Sequence, residues 1–431
     1  NGAFVLDFLP RLKYEISSLA VYRSLREKPV ILSLFKFSDL LGSASDEDRL
    51  EQMFHHYTAI CTELFESGFR GSLYDYMYDA VLYDNNIFTS ESANGRHHDL
   101  PKQVNRACCQ DLDFLYCLAK LPSSALKGAI SALFPDCTDL INRLPDYNNK
   151  PVLFKDIGNW KNLTEDFASF NKENGVSIFA KYYAFHYSGN YGLEPVKNFD
   201  SIRLSDLKHY ETQRQKIIDN TRGFLEGKTF NNVLLYGDRG TGKSSTVKAL
   251  LNEYKTSGLR MVEIPKQELT NLDKVIHLIE DIPLKFILFI DDLAFDENDP
   301  SFGILKALLE GSLVRRPDNI AVYATTNRRH LIKETFSGRE GDEVHRTDTI
   351  DEALSLSDRF GLYITFTLPD KNKFLDIVKL LADDRGIVID EETLFRGAEQ
   401  FAMRKSGRSP RLARQYIDYI QARQSMNLPL F

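Results

Sequence analysis

The stretch VLLYGDRGTGKSSTVKALL, residues 233–251, limits what this chain can be more than any other. Gly237-Asp238-Arg239-Gly240-Thr241-Gly242-Lys243-Ser244 fits the pattern GxxxxGK[ST] in full. The apolar run NVLLYG precedes it and the helix-like run KSSTVKALLNEY, which opens on Lys243, Ser244 and Ser245, follows it. Strand, glycine-rich loop and helix in that order are the setting the pattern needs. Glycines let the backbone wrap so that its N–H groups face an anion, and the helix start adds its dipole. In this reading Lys243 reaches the β- and γ-phosphates of a nucleotide, and Ser244 places its hydroxyl on Mg²⁺.

The runs downstream set the fold class. LRMVEIP, KFILFIDD, NIAVYATTN and LYITFTLP follow NVLLYG, with helix-like stretches between several of them. Three of the five are continuous apolar runs, which fits a parallel sheet covered by helices on both faces. After Pro369 the texture is helical: KNKFLDIVKLLADDRG, DEETLFRGAEQFAMRK and SPRLARQYIDYIQARQ. Residues 1–140 read mostly as helices with apolar residues at three- and four-residue spacing, with SASDED (43–48) placed to start one helix. The spacing predicts an α/β chain: a mainly helical N-terminal domain over 1–195, a five-stranded parallel nucleotide-binding domain over 196–369, and a helical domain over 370–431. Tyr74, Tyr76, Tyr78 and Tyr83 are expected to form a packed face.

Four further positions carry candidate chemistry. The third strand delivers Asp291 and Asp292 at its end, where Asp291 would hold Mg²⁺ and Asp292 would polarise a water. The fourth ends at Asn327, whose amide would orient that water. Arg359, in LSDRFG, has a planar fork suited to a neighbouring subunit's γ-phosphate, or to an ion pair with Asp358. Arg411 opens a helix after Pro410. A cation there is unfavourable without an anion, so it is a candidate γ-phosphate sensor, with Arg408 and Arg414 as substitutes.

Bulk properties narrow the partners. The formal net charge is −7, and the deficit lies in the first 200 residues, with 20 Lys+Arg against 26 Asp+Glu. That balance does not favour nucleic acid, although Arg328, Arg329 and His330 form a local basic patch. The five cysteines include no CxxC pair, so reduced, buried thiols are expected. Neighbouring histidines, His55-His56 and His97-His98, should point apart and form no ligand set. No apolar run approaches the ~20 residues of a membrane span, so a cytoplasmic protein is expected. The chain begins with Asn1 rather than Met, so its natural start is expected upstream.

The series of phosphate loop, Asp-Asp strand, Asn strand end, SDRF and GRSPR resembles the AAA+ ATPases over about residues 200–431. Within them it is similar to a family of uncharacterised bacterial AAA+ ATPases filed as a domain of unknown function. LSDLKHYETQRQKIIDNTRGFLEG, FILFIDDLAF, LKALLEGSL, YATTNRRHLI, SLSDRFGL and GRSPRLARQYID carry that likeness. The resemblance implies Walker A at Lys243 and Ser244, Walker B at Asp291 and Asp292, sensor 1 at Asn327, an arginine finger at Arg359 and sensor 2 at Arg411. It implies adenine contacts around Leu204–Tyr210, and it makes the helical domain over 370–431 a lid. It also implies ATP and Mg²⁺ as cofactors, a homo-oligomer and a protein client to remodel or load. Most relatives carry Glu where Asp292 stands, so a slow ATP-dependent switch or loader of the DNA-replication kind is the alternative. The polar stretch Arg328–Leu356 is either a partner contact or a plain loop.

Overall fold

The computed structural model describes residues 8–42, 47–295, 299–310, 317–327, 359–405 and 407–426. The patch Arg328-Arg329-His330, the stretch to Leu356, Asp358 and most of SASDED lie outside them. The chain divides into two compact units, Asn1–Lys181 and Tyr182–Phe431.

The first unit is helical. Its principal helices are α1 (Pro29–Leu40), α2 (Glu47–Glu66), α3 (Leu73–Leu82), α4 (Lys102–Ala119), α5 (Ser123–Leu133) and α6 (Thr164–Asn174). They enclose one apolar core that includes Leu34, Tyr57, Leu112, Ile130 and the fully buried Trp160. Two buried carboxylates are satisfied by backbone amides. Asp75 accepts from Val152 and Leu153 at 2.9 and 2.8 Å, and Asp111 from Val21 and Tyr22 at 2.8 and 3.0 Å. Such bonds are what make a buried charge tolerable. The tyrosine cluster is a packed face: Tyr74 and Tyr76 are buried, and Tyr74 and Tyr78 each lie 5.6 Å from Trp160.

The second unit is built on a mostly parallel sheet of seven strands, where five were expected. In chain order they are β1 (Ala184–Ser188), β2 (Gly192–Pro195), β3 (Val233–Gly237), β4 (Leu259–Glu263), β5 (Lys285–Ile290), β6 (Ile320–Thr326) and β7 (Leu362–Phe366). Across the sheet the order is β2-β1-β4-β5-β6-β3-β7. The two extra strands form a hairpin: β1 pairs parallel to β4, and β2 antiparallel to β1. Residues 184–195 therefore stand in the sheet unit rather than in the helical one. AFHYS is mixed in polarity, unlike the apolar runs of the central strands, and pairs parallel to β4.

The central strands are buried along nearly their whole length, β6 at all its positions. Helices α7 (Glu211–Leu225) and α8 (Lys243–Tyr254) supply Ile217, Phe224, Val247 and Leu250 to the cluster on the sheet. After β7, helices α11 (Lys371–Asp384), α12 (Glu391–Arg404) and α13 (Pro410–Ser425) pack around their own core of Phe374, Leu381, Ala398 and Tyr416. Two further helices, α9 (Leu272–Ile279) and α10 (Pro300–Glu310), complete the principal elements.

Candidate nucleotide site

Sheet order explains why distant motifs meet. β5, β6 and β3 are parallel neighbours, so their C-terminal ends deliver Asp291-Asp292, Thr325-Thr326-Asn327 and the glycine-rich loop to one edge. Ile290 lies opposite Ala324, and Tyr236 opposite Thr326. Gly237 must be glycine: its φ is 141°, and a Cβ would stand 1.9 Å from the Phe366 carbonyl oxygen.

The loop opens onto a cavity of about 450 Å³. Arg239, Gly240, Thr241, Gly242, Lys243, Ser244 and Ser245 line it, with Asp291, Asp292, Asn327 and Arg411. Gly237 and Asp238 stand just behind, offering their carbonyls to Lys243 Nζ at 2.7 and 2.8 Å. The third acceptor of Lys243 is Asn327 Oδ1, at 2.8 Å. Asn327 Nδ2 in turn donates to Asp292 Oδ1 at 2.6 Å. Ser244 Oγ donates to Asp291 Oδ1 at 2.6 Å.

Thr325 is the residue the sequence reading missed. Its hydroxyl donates to Asp291 Oδ1 at 2.5 Å and accepts from the Asp292 amide at 2.9 Å. Asp292 has φ 53°, an unusual backbone for a residue other than glycine. The Thr325 bond helps hold it there. The only signal in sequence was its place two residues before Asn327.

The cavity suits an anion. Burial drives the Lys243 ammonium down to about 8, against the pull of Asp238, Asp292 and Asp291, while Arg411 pushes the same way as burial. This is a desolvated cation short of negative charge. The first-turn amides of α8 have no side-chain cap. By contrast α11, α12 and α13 are capped by Asp370, Asp390 and Ser409. Phosphate oxygens would satisfy both deficits. Ser244 and Asp291 offer the hard oxygens that Mg²⁺ prefers.

Leu207, Tyr210, Phe366, Ile377 and Leu381 also line the cavity, among the charged Asp206, Lys208 and Arg214. Arg414 also reaches the cavity. Arg408 does not: it makes a two-pronged pair with Glu399 at 3.0 and 2.8 Å. Arg359 does not line the cavity either. It precedes β7 at the end of the sheet away from the loop, and β7 alone spans about 13 Å at ~3.3 Å per residue.

A family model described as "Protein of unknown function (DUF815)" matches residues 180–424. The chain belongs to the DUF815 family. That agrees with the likeness seen in the sequence to a family filed under unknown function. No curated protein matches this DUF815 chain. Among solved structures it is similar to the RuvB Holliday junction branch migration motor of Thermotoga maritima, at TM-score 0.37 and 13% identity. That match covers 53% of this chain and 67% of that one. A single-residue mutant of the same RuvB matches at TM-score 0.38 and 14% identity, over the same shares of the two chains.

Other sequence expectations fare unevenly. His97 and His98 do not point apart: both turn Nε2 toward Glu165 Oε2, at 3.0 and 3.9 Å, with ring centroids 3.8 Å apart. They sit in the short 3₁₀ turn His97–Asp99, whose tight winding does not splay neighbours as an extended strand would. The five cysteines are free, but only Cys61 and Cys108 are buried, and Cys117 is exposed. Among the described residues no helix is long and apolar enough to cross a membrane.

Proposed function

We propose that this cavity binds ATP with Mg²⁺ and that the chain is an AAA+ ATPase, acting as an oligomer on a protein client. The observation that carries this reading is the chain of contacts from Lys243 through Asn327 to Asp292, beside Ser244 and Asp291, in one cavity. The loop amides and Lys243 would hold the β- and γ-phosphates, and Ser244 with Asp291 the metal. Mg²⁺, when bound, offsets charge developing on the phosphate oxygens. Asp292 would draw the proton from the attacking water. Asn327 would fix that water, because its amide already spans the acid and the phosphate-binding lysine. Arg411 would read the γ-phosphate from the helical side.

Arg359 stands off the cavity of its own chain, which supports a role at a neighbour's. Residues 370–431 would act as the lid, and the N-terminal helical unit would engage the client. A bacterial, cytoplasmic setting fits the resemblance, and the charge balance does not support direct nucleic-acid binding. One observation favours a slower switch or loader: Asp292 is short and its carboxylate is already bonded to Asn327.

Lys243→Ala should abolish ATP binding, whereas Arg359→Ala should keep binding and lose turnover. Normal turnover in Arg359→Ala would remove the finger assignment.

A further inference from the structure

The connection from β7 into the lid helices is clasped at three successive residues. The Asp238 amide donates to the Phe366 carbonyl at 3.1 Å. The Tyr210 hydroxyl donates to the Thr367 carbonyl at 2.6 Å. The Leu368 amide donates to Asp238 Oδ2 at 3.0 Å. Asp238 thus holds the connection from both sides, although it is the second residue of the phosphate loop. The Tyr210 ring lies 5.1 Å from that of Phe366, and Tyr210 has φ 66° at the start of α7. Burial, then the Asp238 carboxylate, pushes the Tyr210 phenol up to about 12, which fits their closeness.

A second contact ties the same loop to the last helix. The Arg411 amide donates to the Gly240 carbonyl at 3.1 Å, and a Cβ on Gly240 would stand 3.0 Å from Ser409 Oγ. The loop is therefore bonded both to the first residues leaving the sheet and to the start of α13. Pro369 follows Leu368 and has no N–H, so the Leu368 amide is the last backbone donor before the Asp370 cap.

From this geometry we infer that Asp238 is a positioning residue that couples the phosphate loop to the lid hinge through Leu368, with Tyr210 as its partner. A loop that reshapes around phosphates must carry Asp238 with it. The hinge residues then follow, because hydrogen bonds at both faces of Asp238 join them. The carboxylate contacts the hinge rather than the cavity, so its role is transmission and not phosphate binding. This inference rests on the nucleotide reading above.

Amide exchange on the full-length chain tests it, with AMP-PNP and Mg²⁺ as the probe. Without nucleotide, Asp238→Ala should raise exchange at Leu368 about tenfold, as loss of one such hydrogen bond implies. Asp238→Asn keeps an acceptor oxygen and should restore most of the protection, and Tyr210→Phe should loosen the same segment. On adding AMP-PNP to the wild type, exchange should change both in the loop at 237–244 and at the hinge, 366–373. In Asp238→Ala the loop should still respond and the hinge should not. A purely structural role would leave the hinge response intact in that variant, and this result overturns the inference. So does equal exchange at Leu368 in Asp238→Ala and the wild type without nucleotide. A wild-type loop that ignores AMP-PNP would instead overturn the nucleotide reading, and with it the coupling. The nucleotide-free comparison separates the two failures.

Discussion

Lys243 and Asn327 are joined directly: the ammonium donates to the amide oxygen at 2.8 Å, across 84 residues of sequence. The other end of the same amide holds Asp292 at 2.6 Å. One side chain thus sets the spacing between the loop lysine and the second aspartate. Asn327→Ala should leave ATP affinity within a few-fold. Turnover should fall by about 10²–10³, the usual scale for losing one preorganised polar group. Steady-state kinetics with separate binding titrations would show it. A variant that turns over normally would exclude Asn327 from the chemistry.

Thr325 makes a similar link between the two acids. Thr325→Val conserves shape but strips a donor from Asp291 and an acceptor from the Asp292 amide. Asp291 is half-buried and keeps its bond from Ser244, and Asp292 is exposed, so the loss should cost about 1 kcal/mol. The variant should melt slightly lower and need more Mg²⁺ for half-maximal turnover. A Mg²⁺ titration unchanged from wild type would place Thr325 in stability alone.

The pH dependence follows from Lys243, held at about 8 against an ordinary 10.5. Phosphate binding needs the ammonium. ATP affinity should therefore be flat below pH 8 and fall about tenfold per pH unit above it. For the protein without nucleotide the sign is opposite. Between about pH 8 and 10.5 the unfolded chain holds a proton that the folded one has lost, so this group makes stability rise with pH through that window. Calorimetric titrations at pH 7, 8 and 9 test the first half and thermal melts the second. Affinity that rises with pH would contradict the assignment.

Arg411 and Arg408 separate two roles. Arg411 lines the cavity, and Arg408 is paired with Glu399. Arg411→Ala should weaken ATP more than ADP. Arg408→Ala should lower the melting temperature modestly and leave the ratio of the two affinities alone. The reverse pattern would exchange the assignments.

Much of the site was legible because it is written in short linear motifs. Lys243, Ser244, Asp291 and Asp292 announce themselves by residue type at a strand end. The central strands were legible because runs such as FILFI are buried on both faces, and the edge strand β7 because LYITF is rich in β-branched and aromatic residues. What was not legible depends on lateral pairing. Thr325 matters only because β6 lies beside β5, and that adjacency is absent from the order of strands along the chain. The β1–β2 hairpin was missed because AFHYS is mixed in polarity and joins the sheet by pairing with β4. His97 and His98 were expected to diverge, and a 3₁₀ turn brings them together on Glu165. The hinge contact of Asp238 was hidden because residues 238 and 368 meet only when β3 and β7 align.

ATP turnover per subunit, followed against protein concentration with Mg²⁺ present, decides whether sites are shared between copies of the chain. Specific activity should climb with concentration, if Arg359 completes a neighbour's site, and Lys243→Ala should be silent throughout. Background turnover at every concentration, with Lys243→Ala indistinguishable from wild type in ATP binding, would contradict the ATPase reading.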